Sequence, residues 1–282
     1  MKKRINTILF IFIAFFIFVY SKSYAIESFS SYGIIRKEQN NLMLISFFAM
    51  LIIVIPVIFM TLFFAYKYNE NNSNKSYDPN WNNSIYIEMI IWIVPIVIIF
   101  FLSVLSFNST RNLDTNKRIN GYNKTMQINA ISLDWCWLFI YPDEHIASIN
   151  EVSFPVNTPV KFNLTSNSVM NSFFIPSLGS QIYTMAGAKT KLYLIANHKG
   201  IYKGLSSNYS GNGFSGMKFS VIVCDNIQFI DWINKIKKSK NYLDDISKFN
   251  VLQIPESNRK IEYFSNVYPN LFYNIINKFN NN

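Results

Sequence analysis

Cysteine and histidine are the side chains that most often bind transition metals, and the spacing of the four present here argues against a local metal site. The two cysteines, Cys136 and Cys224, lie 88 positions apart, and the two histidines, His145 and His198, lie 53 positions apart. Zinc sites and haem-attachment motifs instead place pairs of ligands a few residues apart. Buried free thiols are the simplest interpretation of the cysteines, although the sequence leaves their pairing open.

One carboxylate, Glu88, stands directly before a long apolar run that begins at Met89. A carboxylate at a membrane boundary can exchange protons with bulk water, which makes Glu88 a functional hypothesis. The alternative is an interfacial residue whose side chain simply reaches toward water. Spacing alone favours that alternative.

Glu88 directly precedes the second of two long uncharged runs, which are candidate transmembrane helices. Residues 42–65 and 89–107 contain no charge, and at about 1.5 Å per residue each can cross a hydrocarbon core of roughly 30 Å. Before them, Lys2-Lys3-Arg4, an apolar run and small residues ending at Ala25 have the pattern of a signal peptide cleaved after Ala25. An uncleaved first anchor helix is the alternative.

The orientation follows from the signal, which would export the chain from residue 26 onward. The count of Lys and Arg beside the spans points weakly the other way, and we give the signal more weight. The predicted organisation is a signal peptide at 1–25, an exported N-terminal segment at 26–41, transmembrane helices at 42–66 and 88–108, a cytoplasmic loop at 67–87, a linker at 109–124, a β domain at 125–226 and a C-terminal helical region at 227–282.

From Met126 onward the pattern changes to short runs of β-branched and aromatic residues broken by Pro, Asn and Gly. Such runs predict a sandwich or barrel. The predicted strands are 126–133, 135–141, 152–154, 160–165, 173–175, 191–196 and 218–223. Helical spacing of isoleucines predicts a helix after Asp225, and a last helix is predicted near 269–279.

Composition excludes several classes of protein. Half of the residues are hydrophobic and only 15% are charged, which argues against a disordered chain. The net charge is +10, but four of these charges lie in the first 25 residues. Among the Lys and Arg after residue 25, the only dense cluster is Lys235, Lys237, Lys238 and Lys240, which we interpret as the solvated face of a helix. No nucleic-acid partner is predicted.

Two spans followed by an exported β domain is the layout of subunit II of the haem-copper respiratory oxidases, and short motifs strengthen the resemblance. Pro176-Ser177-Leu178-Gly179 resembles the family's Pro-Ser-Leu-Gly turn, Trp135-Cys136-Trp137 its Trp-x-Trp segment, and Glu88, Trp92 and Pro95 the opening of its second span. The resemblance runs from about Gly33 to Phe279. It implies a two-helix transmembrane hairpin followed by an exported all-β cupredoxin-like sandwich with C-terminal helices.

The family's copper loop has been replaced in this sequence. In cytochrome c oxidases the loop reads Cys-x-Glu-x-Cys-Gly-x-x-His-x-x-Met, with a further ligand histidine upstream. The matching positions here are Asn171, Ser206, Asn208, Ser210, Phe214 and Met217. Copper pairs are held by soft thiolates, which neutral serine hydroxyls cannot replace. Met217 is the only side-chain ligand retained, so no metal is predicted in this chain. We interpret Gly211 and Met217 as residues retained for the geometry and packing of the loop.

The chain therefore resembles the quinol-oxidase branch, namely subunit II of the cytochrome bo type ubiquinol oxidase. The resemblance implies a non-redox subunit of a proton-pumping ubiquinol oxidase in the bacterial inner membrane, multi-pass, with its C-terminal domain in the periplasm. Haems and copper are expected in the partner subunit I, with no cofactor or catalytic centre in this chain and no cytochrome c partner. Glu88 would correspond to a carboxylate at a proton entrance. No cysteine precedes Cys136, so no amino-terminal lipid is predicted.

Two other functions are compatible with parts of the sequence. A membrane-anchored cupredoxin-like binding or sensor module would have the same layout but would not copurify with a haem protein. A copper-bearing cytochrome c oxidase subunit II is the less favoured alternative because of the substituted loop.

Overall fold

Two long apolar helices precede a β domain. The computed structural model describes residues 31–68, 84–114 and 125–280. The predicted signal peptide lies outside these residues, as do most of the predicted cytoplasmic loop and the second half of the predicted linker. Residues 38–114 form one compact unit, and the β domain together with residues 31–37 belongs to the other.

The helices are α1, Ile34–Lys67, and α2, Ile85–Asn112. Both are long and apolar enough to cross a membrane, and each contains one of the predicted spans. None of the residues of α2 is buried within the described chain, and a helix that is apolar on every side is suited to lipid or to a membrane partner. Pro56 and Pro95 lie inside the two helices.

In the described part of the chain, eleven strands form two facing sheets, which confirms the predicted sandwich. The strands are β1 Met126–Leu133, β2 Cys136–Tyr141, β3 Ile146–Ile149, β4 Glu151–Pro155, β5 Val160–Ser166, β6 Asn171–Phe174, β7 Gln181–Thr184, β8 Thr190–Leu194, β9 Gly200–Ser206, β10 Lys218–Cys224 and β11 Glu262–Phe264. One sheet has the order β11-β3-β2-β1-β5-β8 and the other β4-β10-β9-β6-β7. The pairs β1–β5 and β4–β10 are parallel.

The core between the sheets is dominated by aromatic rings. Phe173 is fully buried and stacks on Phe219 with ring centroids 5.1 Å apart. Its ring also lies 5.1 Å from Trp137 and 5.2 Å from Phe162. Gly204 makes room for this cluster, since a Cβ atom at that position would lie 2.1 Å from two ring atoms of Phe219.

The C-terminal region supplies α3 Asn226–Lys237, α4 Ile246–Leu252 and α5 Leu271–Asn280. Side chains of α4 and α5 cover the outer face of the first sheet, where Leu271 and Ile275 pack with Ile131 and Leu138. The region also contributes β11, which pairs with β3. The helices here agree with the predicted helical region, but this strand was not predicted, because three residues are too few to show an alternating pattern.

Residues ahead of α1 pack into the β domain. The amide of Tyr32 donates to Ser177 O at 3.2 Å, and the amide of Asn197 donates to Tyr32 O at 2.8 Å. Gly33 lies so close to the domain that a Cβ atom would come 2.7 Å from Ile195 O. The short segment therefore packs so closely against the β domain that position 33 has room only for glycine.

Candidate functional site

The residues at the predicted copper-loop positions lie at one end of the second sheet. The loop connects β9 to β10 and is closed by the amide of Ser206, which donates to Met217 O at 3.1 Å. It contains a short 3-10 turn, Phe214–Gly216. Because β6 pairs with β9 through Phe173 and Ser206, the start of β6 brings Asn171 beside the loop.

Three of the six positions form a polar network in which Asn171 and Ser206 are buried and Asn208 is partly exposed. Ser206 Oγ donates to Asn171 Oδ1 at 3.0 Å, and both residues are almost completely buried. Asn208 Nδ2 donates to Met170 O at 3.0 Å, which ties the loop to the segment before β6. The network continues from Asn171 Nδ2 to Ser132 Oγ at 3.4 Å.

The other three positions have separate environments. Ser210 accepts a hydrogen bond at its backbone oxygen from Trp135 Nε1 at 3.0 Å, while its hydroxyl is buried without a partner. Phe214 packs edge-on against Tyr209. Met217 is buried in the sandwich core, so its side chain contributes to packing.

Trp135 covers the loop from the side of the first sheet. A Cβ atom on Gly213 would lie 2.3 Å from the indole, and one on Gly211 would lie 3.3 Å from it. Gly211 also has a φ of +112°, a conformation that favours glycine. The two glycines therefore let the indole lie flat on the loop backbone.

The side chains at these positions do not suit a copper pair. Neutral hydroxyl and amide groups occupy four of the six matching positions, and the Ser206 hydroxyl and Asn171 carbonyl are already bonded to each other. Copper pairs require soft thiolate and imidazole ligands. Within residues 31–68, 84–114 and 125–280, no group of three or more His, Cys, Asp or Glu could hold a metal ion.

The cysteines are both buried and free. Burial raises the pKa of the Cys136 thiol to about 11, and the neighbouring Arg259 guanidinium partly opposes this shift. A thiol that stays protonated near neutral pH is a weak nucleophile. Cys224 lies at the end of β10, where its Sγ is 3.6 Å from Ser153 Oγ.

Glu88 belongs to the helical unit, within the first turn of α2. Its amide donates to Ser84 O at 3.0 Å, and its side chain is exposed. The carboxylate is therefore accessible to water or to another subunit.

Sequence reasoning missed two members of the network. Ser132 and Thr184 are fully buried, with their hydroxyl oxygens 3.3 Å apart. In β1, Ser132 lies on the same inward face as Ile128 and Ala130. A polar residue at an inward position must find a hydrogen-bond partner, and this could have indicated that Ser132 belongs to a buried network. For Thr184 the sequence offers no comparable pattern.

Comparison with known proteins places the chain in a family. Residues 144–225 match the model of the cytochrome c oxidase subunit II periplasmic domain, and residues 237–282 match that of the COX aromatic rich motif. The chain is 57% identical over 245 residues to cytochrome bo(3) ubiquinol oxidase subunit 2 of Buchnera aphidicola subsp. Baizongia pistaciae, covering 86% of each protein. It is 47% identical over 251 residues to the subunit of the same name from Pseudomonas aeruginosa, covering 89% of this chain and 76% of the relative.

Among solved structures, the periplasmic domain of subunit II of cytochrome oxidase from Bradyrhizobium japonicum has 24% identity and a TM-score of 0.38, covering 40% of this chain and 94% of that one. The two family models match 82 and 46 residues in the second half of the chain. The similarity to the ubiquinol oxidase subunits extends over most of the length. The chain therefore belongs to the subunit II family of the haem-copper oxidases, together with the ubiquinol oxidase subunits 2.

Proposed function

We propose that this chain is the non-redox subunit II of a proton-pumping oxidase that couples ubiquinol oxidation to reduction of oxygen to water. The hydrogen bond between Ser206 and Asn171 is the observation that carries the proposal. It joins two positions at which copper-bearing members of the family have metal ligands. Electrons would pass from ubiquinol to haems and copper in subunit I without crossing this chain.

The substrate gives a physical reason for a chain without copper. A quinol is soluble in the membrane and can reach subunit I directly, whereas an external cytochrome needs a relay above the membrane surface. A subunit that does not transfer electrons can keep its β-sandwich while the residues that bound copper are replaced. The relatives named as ubiquinol oxidase subunits support this assignment.

The proposed role of the chain is to anchor a periplasmic domain and to support subunit I. The two helices offer apolar side chains along their length, as expected of helices that contact lipid and other membrane subunits. The matched family model is that of a periplasmic domain. The complex as a whole is an oxidoreductase, and its chemistry would take place in the partner.

Oxygen consumption by the complex, purified through a tag on this chain, tests the proposal. Activity with ubiquinol and none with reduced cytochrome c is expected, because this chain offers no copper relay. Metal analysis of the complex should find no copper beyond that of subunit I, when copper is counted relative to the two haems. Cytochrome c activity, or additional copper in stoichiometric amount, would overturn the assignment. A chain that purifies without any haem protein would indicate a separate binding module.

We also propose that Glu88 helps protons to enter subunit I from the cytoplasmic side. An exposed carboxylate at the start of a candidate transmembrane helix can take up a proton from water and pass it to an acceptor in a neighbouring subunit. Its exposure and its position in the first helical turn support this role.

Replacing Glu88 with Gln is expected to slow ubiquinol oxidation by about tenfold, less than the roughly hundredfold or more of a group that takes part in the chemical step, because water can still deliver protons to subunit I more slowly. Assembly should be unchanged, because the bond from its amide to Ser84 O does not involve the side chain. The measurement is turnover per haem at several pH values. Glu38→Gln, which removes another exposed carboxylate of the helical unit, is the matched control. Equal turnover in the two variants would remove Glu88 from the proton path.

A further inference from the structure

The loop between β9 and β10 contacts the C-terminal region as well as Trp135. A Cβ atom on Gly216 would lie 2.1 Å from Asn258 Oδ1 and 2.9 Å from Asn258 Cγ. The amide side chain of Asn258 therefore rests directly on the backbone of the loop. Asn258 has a φ of +59°, a left-handed conformation that asparagine tolerates better than most residues.

The segment around Asn258 is tied to the sandwich through its neighbour. Arg259 O accepts a hydrogen bond from Asn150 Nδ2 at 2.8 Å, and Asn150 Oδ1 accepts one from the amide of Trp137 at 2.9 Å. The Arg259 side chain is only 8% exposed. Its Nε donates to Glu256 Oε2 at 2.7 Å and its Nη1 to Leu252 O at 3.1 Å. The bonds of Asn150 tie the segment to the start of β2, and the side-chain bonds of Arg259 hold the segment to its own neighbours in the C-terminal region.

A buried carboxylate holds the next part of the C-terminal region. Glu151 Oε1 accepts hydrogen bonds from Trp232 Nε1 at 2.8 Å and from Tyr263 OH at 2.7 Å. Glu151 is 8% exposed, and bonds from two donors satisfy a charge that would otherwise be costly to bury. Burial, together with the bond to Glu151, raises the pKa of Tyr263, which therefore remains a donor. Strand β11 is thereby attached to the sandwich by a side chain in addition to its backbone pairing.

We propose that the C-terminal region, residues 238–280, is an intramolecular brace that holds the loop between β9 and β10 in its conformation. The brace acts through Asn258 on Gly216 and is secured by Arg259 and by the Glu151–Tyr263 bond. It gives the region that matches the aromatic rich motif a mechanical role within the chain. The brace does not depend on which electron donor the complex uses.

Hydrogen exchange of the loop in the purified, resting complex tests the brace. Asn258→Gly removes the side chain that rests on Gly216 and keeps a residue suited to positive φ. Amides of residues 211–217 are expected to exchange about fivefold faster, because local opening of the loop loses a contact that opposes it. The reciprocal variant Gly216→Ala displaces Asn258 and should speed exchange in residues 256–262, because coupling between two sites is mutual.

Asn270→Gly is the matched control. Asn270 belongs to the same region, has a φ of +62° and lies beside α5 rather than beside the loop. This variant should leave exchange in residues 211–217 unchanged. The proposal is overturned if Asn258→Gly affects the loop no more than Asn270→Gly does, or if each variant changes exchange only at its own position. Because exchange is measured without turnover, the result is separate from the ubiquinol assay.

Discussion

Replacing Phe173 with alanine is expected to lower the free energy of unfolding of the β domain by about 3–5 kcal/mol. The side chain is fully buried, and its ring contacts those of Trp137, Phe162 and Phe219 at centroid distances of 5.1–5.2 Å. Truncation would remove the apolar surface of one ring and leave a cavity that the three remaining rings cannot close. Both effects act in the same direction.

Urea-induced unfolding of the complex in detergent, followed by pulse proteolysis of this chain, measures the loss. Tyr183→Ala is the matched control, because Tyr183 lies in the neighbouring strand β7 and is 48% exposed. The control is expected to cost less than about 1 kcal/mol, as for most surface positions. Equal losses in the two variants would show that the aromatic cluster is not the main support of the sandwich.

A methyl group at Gly204 is expected to destabilise the domain by about 2–3 kcal/mol, within the usual range for overpacking a core. The added Cβ atom would lie 2.1 Å from Cε2 and Cζ of Phe219. Phe219 cannot easily move away, since its ring is stacked on Phe173 and lies 5.1 Å from Phe139. The same proteolysis assay applies to Gly204→Ala.

A second substitution separates the clash from a general effect of alanine. Phe219→Leu shortens the opposing side chain, so Gly204→Ala should cost less in that background than in the wild type. Residues in direct contact show such non-additive effects. Additive losses in the double variant would mean that the glycine is required for a reason other than the space occupied by Phe219.

The sandwich could be predicted from sequence wherever a strand is long and its residues alternate or are all apolar. β1 is observed with the predicted bounds, Met126–Leu133. β2 begins one residue later than predicted, because Trp135 has a φ of +72° and lies in the turn that lays its indole on the loop. β3, β7, β9 and β11 are missed, and β9 carries two glycines, which weaken the signal of a strand.

The candidate site was less accessible to sequence reasoning. Resemblance to a family identified Asn171, Ser206 and Asn208, and the structure brings these three together. Neither the contact of Thr184 with Ser132 nor that of Asn258 with Gly216 could be predicted, since each joins positions distant in sequence. Hydrophobic periodicity gives the face of a strand on which a residue lies. It does not give the side chain that will lie opposite.

The seating of Tyr32 and Gly33 in the β domain has a consequence for biogenesis. These residues leave the ribosome before α1, whereas their partners Ser177 and Asn197 are synthesised only after α2. In the proposed topology, in which both helices cross the bilayer, the early segment and the late domain would meet on the same side of the membrane. A chain in which α2 failed to insert would leave them on opposite sides, with the space beside Ile195 unfilled. Completion of the periplasmic domain is therefore also a test of correct membrane topology, and chains with the wrong topology would keep an incomplete domain open to proteases.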